Sequence, residues 1–169
     1  MKKITLIMLA LVLTGFAGKT VNAQGSFEAE QLGINAGITY GLDIEEPGIR
    51  LGATYFLDEN MRVGGDLTYW LIDDGDFHGT NFTYLELNGN FNYLFHDEDG
   101  LIFYGIGSLG IHYASFSYGS ESDSDSELGL GLGAGIEYQM NGISLFGEPK
   151  LFLSGFEQVK INAGVRIYL

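Results

Sequence analysis

The sequence has no cysteine, two prolines, one tryptophan and only eight lysine or arginine residues in 169 positions. The missing cysteines exclude disulfides, thiolate metal centres and a cysteine nucleophile. They also exclude a lipid-modified N-terminal cysteine. The few cations face 22 acidic residues, for a formal net charge of −14. A chain this acidic does not bind nucleic acid by counterion release. Beyond residue 23 there is no run of 18 consecutive apolar residues, which excludes a transmembrane helix. The length suits one domain.

Residues 1–23 have the build of a secretory signal peptide. Lys2 and Lys3 form a basic start, Ile4 to Phe16 an apolar stretch too short to span a bilayer, and Val21-Asn22-Ala23 a small-residue cleavage site. The expected mature chain is 24–169. The leader holds three of the eight cations and none of the acids, so the remainder carries five cations against 22 anions, a net charge of −17. Such a chain is either exported and soluble or spans a membrane as a barrel.

What the sequence does contain is a period of two. In Gln158 to Leu169, Val159, Ile161, Ala163, Val165, Ile167 and Leu169 alternate with polar, small or amphipathic residues, the pattern of a strand with one apolar and one polar face. Similar stretches run through Leu32–Gly41, Gly48–Leu57, Met61–Ile72, Thr80–Phe95, Leu101–Tyr118, Leu128–Met140 and Ile143–Leu153, eight in all. Within Leu101–Tyr118 the alternation changes parity: Leu109, Ile111 and Tyr113 read as outward, Ile102, Tyr104 and Ile106 as the opposite set. A bulge near Gly105 or Gly107 reconciles the halves.

The connections alternate in character. Leu42–Pro47, Asp73–Gly79 and Gly119–Ser126 are longer and acidic, the last too polar to pack. Asp58-Glu59-Asn60, His96–Gly100 and Asn141-Gly142 are tight turns. Gly155–Glu157 is short but falls on the long-loop side. Eight strands with long loops at one end and short turns at the other match an up-and-down transmembrane β-barrel. A soluble lipocalin-like barrel instead points its apolar face inward.

Charge placement separates the two. Arg50, Arg62, Lys150, Lys160 and Arg166 all sit at polar-face parity, as do Asp66, Glu86, Glu137 and Glu148. Near-balanced charge within strands, against almost wholly anionic loops, fits a narrow lumen where buried charges must pair. Tyr40, Tyr69 and Tyr113 at one end of the apolar face, and Tyr55, Tyr93, Phe95 and Tyr138 at the other, resemble the aromatic girdles of a bilayer-spanning barrel.

Together with this strand pattern, Phe103-Tyr104-Gly105-Ile106-Gly107-Ser108-Leu109-Gly110 and the closing Ala163-Gly164-Val165-Arg166-Ile167-Tyr168-Leu169 resemble the small eight-stranded outer-membrane barrels of the OmpA/OmpX type, over the whole expected mature chain. The resemblance implies a Gram-negative outer-membrane location, outer-membrane lipid and lipopolysaccharide as surroundings, and periplasmic chaperones and the barrel-assembly machinery as partners in biogenesis. Many members end on Phe; this chain ends on Leu169. No peptidoglycan-binding domain is expected after the barrel, so the anchoring role of longer relatives is not implied.

Eight strands leave an interior just wide enough for side chains, so the nine lumen charges are expected to brace the barrel rather than conduct. Lipid-modifying barrels need a His beside a Ser or carboxylate; His78, His96 and His112 show no such spacing, and no enzyme, cofactor or metal is expected. Asp73, Asp74 and Asp76, and Glu121, Asp123, Asp125 and Glu127, lack the twelve-residue frame of a calcium loop. They are expected to form a solvated anionic surface or to bridge lipopolysaccharide through divalent cations. The leading expectation is a monomeric, mostly closed barrel with a structural or surface-contact role; the alternatives are a small porin and a soluble binding barrel.

Overall fold

The computed structural model describes residues 31–72, 80–118, 121–140 and 143–169. It contains β1 (Leu32–Gly41), β2 (Glu46–Phe56), β3 (Met61–Trp70), β4 (Thr80–Glu98), β5 (Leu101–Tyr118), β6 (Glu121–Met140), β7 (Ile143–Phe152) and β8 (Gln158–Tyr168). Each strand pairs antiparallel with the next, and β1 pairs with β8 through Ala36↔Val165 and its neighbours, closing the barrel. Closure removes the sheet edges that would otherwise template aggregation or leave backbone groups unpaired in lipid. Asp97, Asp73, Asp74, Asp76 and His78 bear on the connections; all but Asp97 lie outside the described residues.

The alternation sets the faces. Ile34, Ile38, Leu51, Leu67, Leu87, Leu109, Leu130, Ile161 and Val165 are exposed on the exterior, whereas their polar-parity neighbours are buried in the lumen. An apolar outside and a polar inside is the reverse of a soluble binding barrel. Tyr69 and Tyr113 lie on one row, each aligned with Leu85 of β4. Tyr40 sits near the same rim, and Tyr55, Tyr93 and Tyr138 are exposed toward the turn end.

Glycine makes the lumen possible where strands or side chains approach closely. Gly37 and Gly164 face each other across the β1–β8 seam, and a Cβ on Gly164 would lie 2.7 Å from the Gly37 Cα. A Cβ on Gly135 would strike the ring of Tyr104. The β4–β5 turn is built on two left-handed residues, Asp99 at φ 53° and Gly100 at φ 77°, which suits a two-residue hairpin.

Three expectations are corrected. First, β5 holds one parity throughout and carries no bulge among its pairs with β6. The register shift lies in β4, between Leu94 and His96. Ile102, Tyr104 and Ile106 point inward because an apolar layer waits for them: with Phe56 and Leu94 they form a buried cluster. Second, the Ser/Asp/Glu run is strand rather than loop from Glu121 onward. Backbone pairing with β5, as in Phe116↔Asp123 and Ala114↔Asp125, needs no buried side chains on β6. Third, β2 begins at Glu46, so Pro47 lies in the strand opposite Tyr40 rather than ending a loop.

Strand lengths are uneven. β1, β3 and β7 have 10 residues, while β4, β5 and β6 have 19, 18 and 20. Pairing of β3 with β4 stops at Tyr69↔Leu85, and that of β6 with β7 at Gly131↔Phe152. β4, β5 and β6 continue together to Thr80↔Tyr118 and Tyr118↔Glu121. A three-stranded sheet therefore rises above the rim at the loop end.

Candidate functional site

The lumen is the site. Residues on the polar parity of every strand point into the barrel interior, where eight strands leave room for side chains and buried charges are met by one another. Arg50, Arg62, Asp66, Glu86, Glu137, Glu148, Lys150, Lys160 and Arg166 all lie there, each at most 3% exposed.

Their contacts form one connected system. Toward the turn end, Arg62 donates from Nη1 to Glu137 Oε2 at 2.9 Å, and Arg166 donates to the same carboxylate. The Tyr168 hydroxyl donates to Glu137 Oε1 at 2.6 Å and accepts from Arg62 at 2.9 Å. Arg166 Nη2 reaches Glu148 Oε1 at 3.4 Å, where the Tyr104 hydroxyl also donates, at 2.9 Å. Glu148 then meets Arg50 Nη1 at 2.9 Å, and Arg50 Nη2 bridges to Asp66 Oδ2 at 3.0 Å. Lys150 lies between Asp66 and Glu148, 3.7 and 3.8 Å from them.

Asparagines carry the system outward along β4. Asn88 donates to Asp66 at 2.9 Å and to Glu86 at 2.6 Å; Asn90 donates to Asp66 at 2.6 Å and accepts from Lys150 and Ser108. Glu86 pairs with Lys160 and stands 3.8 Å from His112 Nδ1, which is 3.0 Å from the Tyr84 hydroxyl. The cations also rest on rings: Arg62 lies 4.2 Å from the Tyr104 centroid, Arg166 4.9 Å from Phe146, and Lys160 5.0 Å from Phe152. In a desolvated lumen such contacts add to the pairing.

Apolar layers bound the network at both ends. Phe56, Leu94, Ile102, Tyr104 and Ile106 close the turn end. At the loop end Trp70 stacks on Tyr84 at 5.7 Å, Phe156 lies 5.3 Å from Tyr84, and His112 meets Phe152 edge-on at 4.9 Å.

These rings, with Tyr168 and Ser108, are the lumen residues that reading by charge misses. Polar-face parity was the available signal for Phe56, Trp70, Tyr84, Ser108, Phe152 and Tyr168; Phe156 lies in the β7–β8 connection, and apolar neighbours hid the parity of Tyr104. His112 meets the Tyr84 hydroxyl and the Glu86 carboxylate but no serine, and His96 lies at the turn end of β4, 5.5 Å from Phe103. Among the described residues no three His, Cys, Asp or Glu side chains are grouped to hold a metal ion. Asp123, Asp125 and Glu127 are exposed on the extension of β6; the side chain of Glu121 lies outside the described residues.

Residues 8–167 match the family described as the outer membrane protein beta-barrel domain. The chain belongs to that family. By sequence, none of the curated proteins compared matches it. Among solved structures it is similar to Ail, the attachment invasion locus protein of Yersinia pestis, with a TM-score of 0.63 and 16% identity, covering 83% of this chain and 99% of that one. Ail has also been solved with the heparin analogue sucrose octasulfate, with a TM-score of 0.62 to this chain. The N-terminal barrel domain of Pseudomonas aeruginosa OprF gives a TM-score of 0.66 at 13% identity, covering 85% and 100% of the two chains. OprG, an outer membrane protein of the same organism, gives 0.62 at 13% identity, covering 88% and 99%. At these identities the likeness is one of fold. Within the family's architecture, the lumen and the outer extension are where this chain's own chemistry lies.

Proposed function

We propose that this outer-membrane barrel is closed and monomeric, and that it works as a structural and surface-contact element of the envelope rather than as a pore or an enzyme. The observation that carries this reading is the paired charge of the lumen. Nine charges are paired between two apolar layers, and a solute crossing the barrel would have to break several buried ion pairs, each costly to leave uncompensated.

In this reading residues 1–23 direct export and are removed, periplasmic chaperones and the barrel-assembly machinery place the chain in the membrane, and contact with the outside goes through the acidic loop end. The polyanion seen with Ail does not transfer, because Asp43, Glu45, Asp123, Asp125 and Glu127 make this end anionic. Divalent cations bridging the protein to lipopolysaccharide fit that charge better.

A small porin is the second reading, and one observation favours it. Asn35 Oδ1, Thr39 Oγ1, Thr68 Oγ1 and Asn162 Oδ1 are buried without a partner among the described residues. Polar atoms left this way invite water. Planar-bilayer recording of the purified protein decides between the two. The closed barrel predicts no steady conductance; regular steps that change with Lys150→Ala or Arg50→Ala would sink it.

A further inference from the structure

The sheet above the rim has two unlike faces. Directly paired residues share a face, as do residues two apart on one strand. On the lumen side the pairs make three rows. Glu86, His112 and Glu127 form the lowest, Tyr84, Ala114 and Asp125 the next, and Phe82, Phe116 and Asp123 the highest. Aromatic rings thus rise along β4 and β5, and carboxylates rise along β6. On the opposite face stand Thr83 and Ser115 with Ser124, and Ser126 beside Tyr113. That face is neutral and hydroxylated.

Two features of the lumen-side face call for an occupant. Phe116 is 48% exposed although it lies above the Tyr69–Tyr113 row, beyond the apolar band. Asp123, Asp125 and Glu127 are exposed as well, with no ion pair among the described residues. No Lys or Arg beyond residue 23 is placed to neutralise them, because all five are buried in the lumen. At the foot of the face, Trp70 Nε1 is buried without a partner among the described residues.

We infer that the lumen-side face of the β4–β5–β6 extension docks an extended, cationic segment of a partner protein, with Lys or Arg at alternate positions. Charge complementarity and spacing select this occupant. Carboxylates two residues apart on a strand lie about 6.8 Å from each other, the same repeat as alternate side chains of an extended peptide. The Phe82–Phe116 pair, across β4 and β5, offers ring faces to the peptide's apolar stems or to an Arg guanidinium. A polyanion is repelled, and a single metal ion would leave the rings unused. The inference rests on the surface-contact reading above and names the partner's chemistry.

The test is fluorescence anisotropy of a labelled peptide of alternating Lys and Thr, with the full chain in nanodiscs of zwitterionic lipid. A peptide of the same composition with its lysines in one block, and one with Glu in place of Lys, serve as controls. The alternating peptide is expected to bind best and to weaken with added salt. Asp123→Asn/Asp125→Asn/Glu127→Gln is expected to weaken it about tenfold, the sum of three exposed pairs. Phe116→Ser should weaken it at low and high salt alike, whereas Glu45→Gln/Glu46→Gln should leave it unchanged. Equal binding of the blocked peptide, or equal loss in the Glu45/Glu46 variant, would reduce the effect to general surface charge and overturn the proposal. So would a thermal shift with calcium chloride alone and no peptide binding. Unboiled gel mobility confirms that each variant is folded. A conductance result against the closed barrel leaves these outcomes readable, so the two readings fail separately.

Discussion

Glu137 is the place to perturb the lumen. Its carboxylate takes Arg62 and Arg166 on Oε2 and the Tyr168 hydroxyl on Oε1, and it is fully buried. Glu137→Ala removes the acceptor for all three. Arg166 keeps a 3.4 Å contact with Glu148, but Arg62 loses its one carboxylate partner among the described residues and keeps the Tyr168 hydroxyl, the Asn92 side-chain oxygen and the Tyr104 and Phe56 rings. Stranding a buried charge costs on the order of 3–5 kcal/mol. Glu137→Gln keeps an acceptor of the same shape without the charge and should cost less, about 1.5–3 kcal/mol, the worth of hydrogen bonds to a charged group.

The assay is urea unfolding in lipid vesicles, read by the heat-dependent gel shift. Arg62→Ala alone strands Glu137 less severely, since Arg166 remains beside it. The Glu137/Arg62 double variant should therefore be less unstable than the two single losses summed, with a coupling of about 0.5–3 kcal/mol. An exposed acid, Glu45→Gln, should stay within about 0.5 kcal/mol of wild type. If Glu137→Ala unfolds with wild-type stability and no coupling to Arg62, water reaches the network freely and the closed-barrel reading is wrong.

Two further substitutions address the faces. Leu132 is exposed on the apolar exterior of β6, so Leu132→Arg should cost about 2–4 kcal/mol as a lipid-facing charge near midplane, measured by the same urea titration; an unchanged midpoint would mean the exterior is not in lipid. Gly135→Ala places a methyl against the Tyr104 ring, displacing a side chain that donates to Glu148. An overpacking cost of about 1–3 kcal/mol is expected, with Gly107→Ala, whose added Cβ would have no atom within 4 Å, as the nearly neutral control.

Much of this architecture can be read along the chain because a strand's side chains repeat every two residues. That period alone puts Arg50, Asp66 and Lys160 on one side and Leu51, Leu67 and Ile161 on the other. It reads parity, not height, and it does not say which cation meets which anion. Arg62 and Glu137 are 75 positions apart and come together only when the lumen is closed across strands that are not neighbours. Parity read by polarity also mislabels residues. Ile102, Tyr104 and Ile106 are apolar and still inward, because an apolar layer closes the turn end. The length of β6 was hidden for the opposite reason. A strand that stands above the membrane needs no apolar face, so the alternation of Ser with Asp and Glu looks like loop composition while its backbone is fully paired to β5.

The charges themselves divide along this line. Every Lys and Arg beyond residue 23 is spent inside the barrel, beside four of the acids, and among the described residues the remaining acids lie at strand ends, in the connections and in the outer extension. Net charge therefore describes the rims, while the lumen is close to neutral. The two populations act on different things. Neutralising a lumen acid strands a buried cation and should be read in stability, at any salt concentration. Neutralising an outer acid changes only a screened field and should be read in what the protein attracts, and that effect should fade as salt is added.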